Sequence, residues 1–405
     1  MVRWRQFRCK ILAALAFVFS IFYFFRVIWF IWQEESCSFI QSKENIQLLC
    51  DDYKDGHLTG SMCPYVCETK EIVLHKCLNY VGGKEIYLTL WKGENLIMKS
   101  KKPSWHDYQR FLPYGLQAEQ ANMTVLLYFI TETIKDSFNI KAEASLDLLE
   151  RYWFPLNDRN DANYVTDAKE RLRVIESIWS LFQQDEYVSV MHLKHSKFMP
   201  LLYGTCGHYY FMEYLPAGKS LSSKLLPYGL FEEDVSWKSK IATSLYLLEL
   251  IRSLDSDFNE VIHMCDLKGA NFGVSKDGAI KIVDVDMLLS HSKLLKIYSG
   301  FNCSSDRDCD FFDCKAKCDV AKGSCVKSRS NTNLQVLCEQ IFRNHLQNAY
   351  HGLLHNPPEQ MEIDLNKLLD RCITTNTKDS NLLDDLYKFL NFHLYTQLMP
   401  QHSEQ

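Results

Sequence analysis

Ile11 to Trp32 is an apolar run of 22 residues, interrupted only by Arg26 and a few small or hydroxylated positions. As a helix it extends roughly 33 Å, against a bilayer core of about 30 Å. Arg3, Arg5, Arg8 and Lys10 precede it, and Glu34 and Glu35 follow it. The positive-inside rule therefore predicts that residues 1–10 stay in the cytosol as a short tail and that the chain beyond 32 crosses the membrane. The run is long for a cleavable signal peptide and ends on Phe30, Ile31 and Trp32, with no small-residue cleavage site, which favours a type II signal-anchor. Arg26 costs about 2.5 to 3.5 kcal/mol near mid-span, but its long side chain can snorkel toward the far interface.

Fourteen of the fifteen cysteines follow the run. That density fits an oxidising lumen, so disulfides are expected. Cys37, Cys50, Cys63, Cys67 and Cys77 form one cluster, Cys303, Cys309, Cys314, Cys318 and Cys325 another, and Cys206, Cys265, Cys338 and Cys372 stand apart. Spacing does not give the connectivity. Zinc is the rival for Cys63-x3-Cys67 and Cys314-x3-Cys318, but no Cys-x2-Cys or His-x3-His partner set accompanies them. Asn122-Met-Thr124 and Asn302-Cys-Ser304 are glycosylation sequons. Of 45 basic residues, five precede residue 33, leaving 40 against 50 acids in the remainder, which argues against a nucleic-acid partner. Sixteen glycines and ten prolines exclude a collagenous or linker-dominated chain.

Residues 33–80 read as a cysteine-rich stem. Ile86 to Trp91 and Asn95 to Lys99 alternate as strands around a Lys92-Gly93-Glu94 turn. Helical spacing runs through Thr124–Phe138, Ala142–Tyr152 and Val165–Phe182. Pro200–Gly204 and Tyr209–Leu215 read as two more strands. Trp237–Leu254 is an amphipathic helix with Ile241, Leu245, Leu248 and Ile251 on one face. Phe272–Ser275 and Ala279–Val283 are short strands joined across Lys276-Asp277-Gly278. Strands first and helices later predict an α+β class.

Phosphoryl transfer needs a carboxylate to orient the attacking hydroxyl, lysine on the phosphates, and acid plus amide oxygens for Mg²⁺. Cys265-Asp266-Leu-Lys268-Gly-Ala-Asn271, followed by Lys281-Ile-Val-Asp284, supplies these in order. The spacing of Asp266, Asn271 and Asp284 matches kinase catalytic and metal-binding loops, with a hairpin returning Asp284 toward Asn271. Tyr210-Phe-Met-Glu213-Tyr214-Leu-Pro-Ala-Gly218 looks like a kinase hinge, placing Glu213 at the adenine. Leu96-Ile97-Met98-Lys99 resembles the strand carrying the phosphate lysine, with Lys92, Lys101 and Lys102 as nearby alternatives. The acidic partner of that lysine is expected on the helix ahead of Pro200, at Glu186 in preference to Glu176.

The whole chain beyond the run resembles the divergent protein kinase domain family of cysteine-rich, type II membrane proteins of the endoplasmic reticulum. The resemblance rests on the short basic N-terminus and anchor, Cys63-x3-Cys67-x9-Cys77, Gly204-Thr-Cys206-Gly207, Met264-Cys265-Asp266 and the cluster Cys303-x5-Cys309-x4-Cys314-x3-Cys318-x6-Cys325. It implies a bilobal kinase-like α+β fold with cysteine-rich additions behind one transmembrane helix. The N-lobe would occupy 81–215, with a helical insert at about 120–165, and the C-lobe 216–400, with its cysteine-rich insert at 303–325. It also implies residence in the endoplasmic reticulum or Golgi membrane, with Arg3-x-Arg5 available as a retention signal. ATP with Mg²⁺ or Mn²⁺ would be bound by Lys99, Glu186, Glu213, Asn271 and Asp284, with Asp266 and Lys268 catalytic and a lumenal or secreted protein as substrate or partner.

The kinase pattern is incomplete. Only Gly82-Gly83 stands where a glycine loop belongs, Met264-Cys265 replaces His-Arg, Val285-Asp286 replaces Phe-Gly, and no Ala-Pro-Glu closes an activation segment. Family members can carry an EF-hand-like insert, but the loop begun by Asp158 and Asn160 has Ala162, Asn163 and Lys169 where oxygen, glycine and glutamate are required, which argues against calcium. Two function classes follow: a lumenal kinase, and a catalytically inactive pseudokinase that acts as a scaffold.

Overall fold

The computed structural model describes residues 38–79, 84–113, 116–153, 167–216, 236–343, 345–346, 349–350, 352–374 and 381–398, together with Ile21, Tyr23, Phe24 and Arg26. Among the described residues no helix is long and apolar enough to cross a membrane. Apart from those four positions, the expected span lies outside the described residues, as do Gly82-Gly83, Cys37 and the loop begun by Asp158.

Helix α1 (Phe39–Lys54) is capped by Ser38, whose hydroxyl accepts from the Gln41 N–H. It leads through a single wide turn at Pro64–Glu68 into an antiparallel five-stranded sheet of order β1-β2-β3-β5-β4. The strands are β1 (Val73–Asn79), β2 (Glu85–Trp91), β3 (Glu94–Ser100), β4 (Leu202–Cys206) and β5 (Tyr209–Glu213). The two-residue connection between β2 and β3 places Lys92 at φ 51° and Gly93 at φ 81°, the left-handed geometry that a tight hairpin demands. Val73–Asn79 is the edge strand of this sheet, so the stem expected over 33–80 and the small lobe share a boundary inside the sheet itself.

The sheet is buried on both faces, and the alternation of its side chains sorts them between two cores. Leu88, Ile97, Tyr210 and Met212 join the main core. Tyr87, Leu96, Met98, Tyr209 and Phe211 face the stem, packing with Leu49, Leu58, Met62 and Val66. Backbone bonds lock that layer in place: Met62 N–H donates to the Thr205 carbonyl at 2.9 Å and Gly207 N–H to the Thr59 carbonyl at 3.0 Å. A Cβ on Gly60 would stand 2.2 Å from the Thr205 carbonyl oxygen, so the close approach requires glycine.

Between β3 and β4 lie helices α2 (Met123–Phe138), α3 (Leu146–Tyr152), α4 (Ala168–Phe182) and α5 (Asp185–Leu193). The first three answer to the expected helical segments, with later starts for α3 and α4. Helix α6 (Trp237–Ser256) buries Ile241, Leu245, Leu248 and Ile251 as its period predicts, and opens the large lobe. Two small antiparallel pairs follow, β6 (Ile262–Met264) with β9 (Leu288–Ser290) and β7 (Phe272–Val274) with β8 (Ile280–Ile282). The β7–β8 turn is closed by the Gly278 N–H on the Ser275 carbonyl, with Gly278 at φ 85°. Helix α7 (His291–Ser299), the β10 (Ala316–Asp319) and β11 (Ser324–Arg329) hairpin, α8 (Asn333–Leu337), α9 (Glu359–Thr374) and α10 (Leu382–Leu398) complete the lobe. The fold is α+β and kinase-like.

Six disulfides join cysteines among the described residues: Cys50–Cys67, Cys63–Cys206, Cys265–Cys314, Cys303–Cys318, Cys309–Cys325 and Cys338–Cys372. Cys77 is disulfide-bonded as well. Cys63, Cys67, Cys314 and Cys318 are all in these bridges, so they are not thiolate ligands of the kind zinc would need.

Candidate functional site

Lys99 lies near the end of β3, paired with Ile86 on one side and Tyr210 on the other, and its side chain points into the cleft between the lobes. Its Nζ donates to Glu186 Oε1 at 2.6 Å and to the Val283 carbonyl at 2.9 Å. Glu186 sits in the first turn of α5 and is buried. Burial alone would raise its carboxyl, but the Lys99 and Lys84 ammoniums overcome that and hold it at about 2.

The alternative residues are engaged elsewhere. Lys92 covers the Trp91 ring from the hairpin, the Lys101 N–H donates to Gln184 Oε1, and Lys102 Nζ donates to the Asp107 carbonyl at 2.5 Å. Glu176 accepts from the Phe111 and Leu112 N–H groups, a buried brace for the segment after β3.

Asp266, Lys268 and Asn271 form a second group on the loop between β6 and β7. Lys268 Nζ donates to Asp266 Oδ2 at 2.7 Å, and Asn271 Nδ2 donates to the same oxygen at 3.1 Å and to the Asp266 carbonyl at 2.9 Å. Val283 joins the two groups through its backbone: its carbonyl takes Lys99, and its N–H donates to the Asn271 carbonyl at 2.9 Å. Asp284, the next residue, therefore stands where the two groups meet.

Three residues to which the sequence reading gave no role complete the cleft. Lys84, just before β2, places its Nζ 2.8 Å from Glu186 Oε2, 2.8 Å from Asp286 Oδ2 and 3.2 Å from Asp284 Oδ1. Asp286 occupies the position of the glycine in the usual kinase triplet; burial, then Glu186, raises its carboxyl against the pull of Lys84. Asp313, from the cysteine-rich insert, accepts the Leu267 N–H at 2.7 Å and so clasps the Asp266 loop. Lys84 had one signal available, its place directly behind Gly82-Gly83. Asp313 had none, being 47 positions beyond Asp266 inside a cysteine cluster.

Glu213 turns its carboxylate to Lys281 Nζ at 2.7 Å and to the Leu201 N–H at 3.0 Å, tying β5 to β8 across the lobes. What the hinge stretch could present to a base is therefore backbone, as at Tyr214 and Leu215, since the Pro216 carbonyl already accepts the Val274 N–H at 2.9 Å.

Glu186, Asp284 and Asp286 bring carboxylate oxygens within 4.8 Å of one another. This all-oxygen donor set fits a hard divalent cation such as Mg²⁺ or Mn²⁺.

Two family models match the chain. The protein-kinase domain of FAM69 matches residues 178–375, which hold Glu186, Asp266, Asn271 and Asp284. The model described as the N-terminal cysteine-rich ER region of FAM69 matches residues 2–121, which hold the stem, Lys84 and Lys99.

Proposed function

The chain belongs to the divergent, cysteine-rich, kinase-like family of FAM69, and we propose that it is a lumenal phosphotransferase of the endoplasmic reticulum, held by one type II membrane anchor over residues 11–32. It binds ATP with Mg²⁺ or Mn²⁺ and passes the γ-phosphoryl group to a hydroxyl of a lumenal or secreted protein. Asp266 orients that hydroxyl and accepts its proton, Lys268 and Lys99 bind phosphate oxygens, and Asn271 and Asp284 hold the metal. The metal, when bound, supplies positive charge against the phosphates. The backbone at Tyr214 and Leu215 holds the base.

One observation carries this reading. The Lys99–Glu186 pair and the Asp266–Asn271 pair are joined through a single residue, Val283, immediately ahead of Asp284. That junction sets the paired lysine, the amide and the two aspartates side by side, as phosphoryl transfer requires.

A second reading, a pseudokinase scaffold, is favoured by Lys84, whose ammonium stands among the carboxylates that a metal would use. Thermal unfolding of the full chain with ATP, with and without Mg²⁺ or Mn²⁺, separates the two. A rise in Tm that requires both ATP and metal supports the phosphotransferase. No response to ATP with either metal supports the scaffold. Protease added to sealed microsomes tests the topology: protection of everything beyond residue 32 supports the lumenal placement, and digestion of the kinase-like domain overturns it.

A further inference from the structure

The two departures from the kinase pattern that flank the cleft meet in space. Lys84 follows the short Gly82-Gly83 pair, Asp286 stands in place of a glycine, and their side chains form an ion pair at 2.8 Å. The same ammonium reaches Glu186 and Asp284, so one positive charge lies among three carboxylates. Lys84 is held there from behind. Its neighbour Glu85 is fully buried, accepts from Asn45 Nδ2 of α1 at 2.5 Å, and also takes the Tyr209 hydroxyl. The stem thus fixes the backbone that carries Lys84.

A divalent cation at this cleft would need the same oxygens. It would draw them to roughly 2.0–2.4 Å, and it would repel an ammonium lodged between them. We propose that Lys84 is a built-in competitor of the divalent cation: its ammonium neutralises Glu186, Asp284 and Asp286 in the metal-free protein, and metal enters only as Lys84 leaves. The competition sets a threshold for metal affinity, and it releases an ammonium beside the place where phosphates would lie. This inference rests on the reading of Asp284 as a metal ligand, and the test separates the two.

The full chain is titrated with MnCl₂ alone, without nucleotide, and followed by thermal unfolding in wild type, Lys84→Met and Lys84→Arg. Lys84→Met should unfold at lower temperature without metal and reach half-maximal stabilisation at a Mn²⁺ concentration at least about tenfold lower than wild type. Lys84→Arg, which keeps the charge, should stay near wild type. Equal midpoints in wild type and Lys84→Met overturn the competition and leave the metal reading standing. A response in neither overturns both. A second measurement needs no variant: acylation of lysines in wild type, read by mass spectrometry, should label Lys84 more strongly at saturating Mn²⁺. Unchanged labelling overturns the displacement.

Discussion

Cys265, the residue immediately before Asp266, is disulfide-bonded to Cys314 of the cysteine-rich insert. The adjoining Asp313 reinforces the clasp, donating its N–H to the Cys265 carbonyl at 2.8 Å and accepting the Leu267 N–H. The loop that carries Asp266 is therefore braced by the insert itself. In kinases regulated through this segment, a phosphorylated loop does that work.

Replacing both cysteines, Cys265→Ala with Cys314→Ala, should lower stability by about 3 to 4 kcal/mol, since the bridge closes a loop of 49 residues. The measurement is urea unfolding under non-reducing conditions. Limited proteolysis should show new cleavage near residues 266–271 if the clasp is what holds that loop.

The buried pair of Lys99 and Glu186 should respond unequally to its two deletions. Glu186→Gln leaves Lys99 without a counter-charge and should cost about 3 to 5 kcal/mol, the range for stranding a buried charge. Lys99→Met leaves Glu186 its ion pair with Lys84 and should cost roughly half as much. Denaturant midpoints for the two variants decide the order, and a larger loss for Lys99→Met contradicts the shared pairing.

His192 gives the fold a defined acid sensitivity. It stacks on Phe138 at 3.9 Å between centroids, and burial lowers its imidazole from 6.5 to about 4. The unfolded chain binds this proton more readily, so its contribution to stability is complete above about pH 6.5 and is lost as pH falls toward 4, by roughly 3 kcal/mol. His192→Gln should flatten the dependence of Tm on pH across that window by the equivalent of one proton, while a slope equal to wild type would show that His192 is not the group responsible.

Asp284 and Asp266 should separate binding from chemistry. Asp284→Ala should abolish metal-dependent nucleotide binding, because a charged ligand is lost beside the phosphates. Asp266→Ala should leave nucleotide affinity nearly intact while cutting phosphoryl transfer by at least about 10²-fold. Circular dichroism checks that both variants fold. Equal loss of binding in both would contradict the division of roles.

The parts of the cleft that were legible in the sequence are those written in local pattern. Alternation placed Lys99 on a strand, the Asp-Gly turn explained how Asp284 returns to Asn271, and the kinase pattern pointed to an acid ahead of Pro200, for which Glu186 was preferred to Glu176. What was not legible depends on contacts between distant segments. Nothing around Cys63 pairs it with Cys206, and a strand buried on both faces gives no sign of which layer covers the second one. A stem or cap packed on the larger domain was legible, but not that Tyr87, Met98 and Phe211 are the residues that pack against it. Lys84 escaped for a related reason: a lone lysine beyond two glycines carries no period, and only the folded sheet aims it at Asp286.

The Cys63–Cys206 bridge, which spans 143 positions, also governs what a protease cut can separate. A protease nick anywhere between those two cysteines leaves both pieces covalently joined, and Cys50–Cys67 extends the same protection upstream. A single cut that frees the kinase-like domain from everything before it must fall ahead of Cys50, and the bridge made by Cys77 restricts it further. Nicks further along would be invisible on a gel run without reductant, and the protein would travel as one molecule with a broken chain.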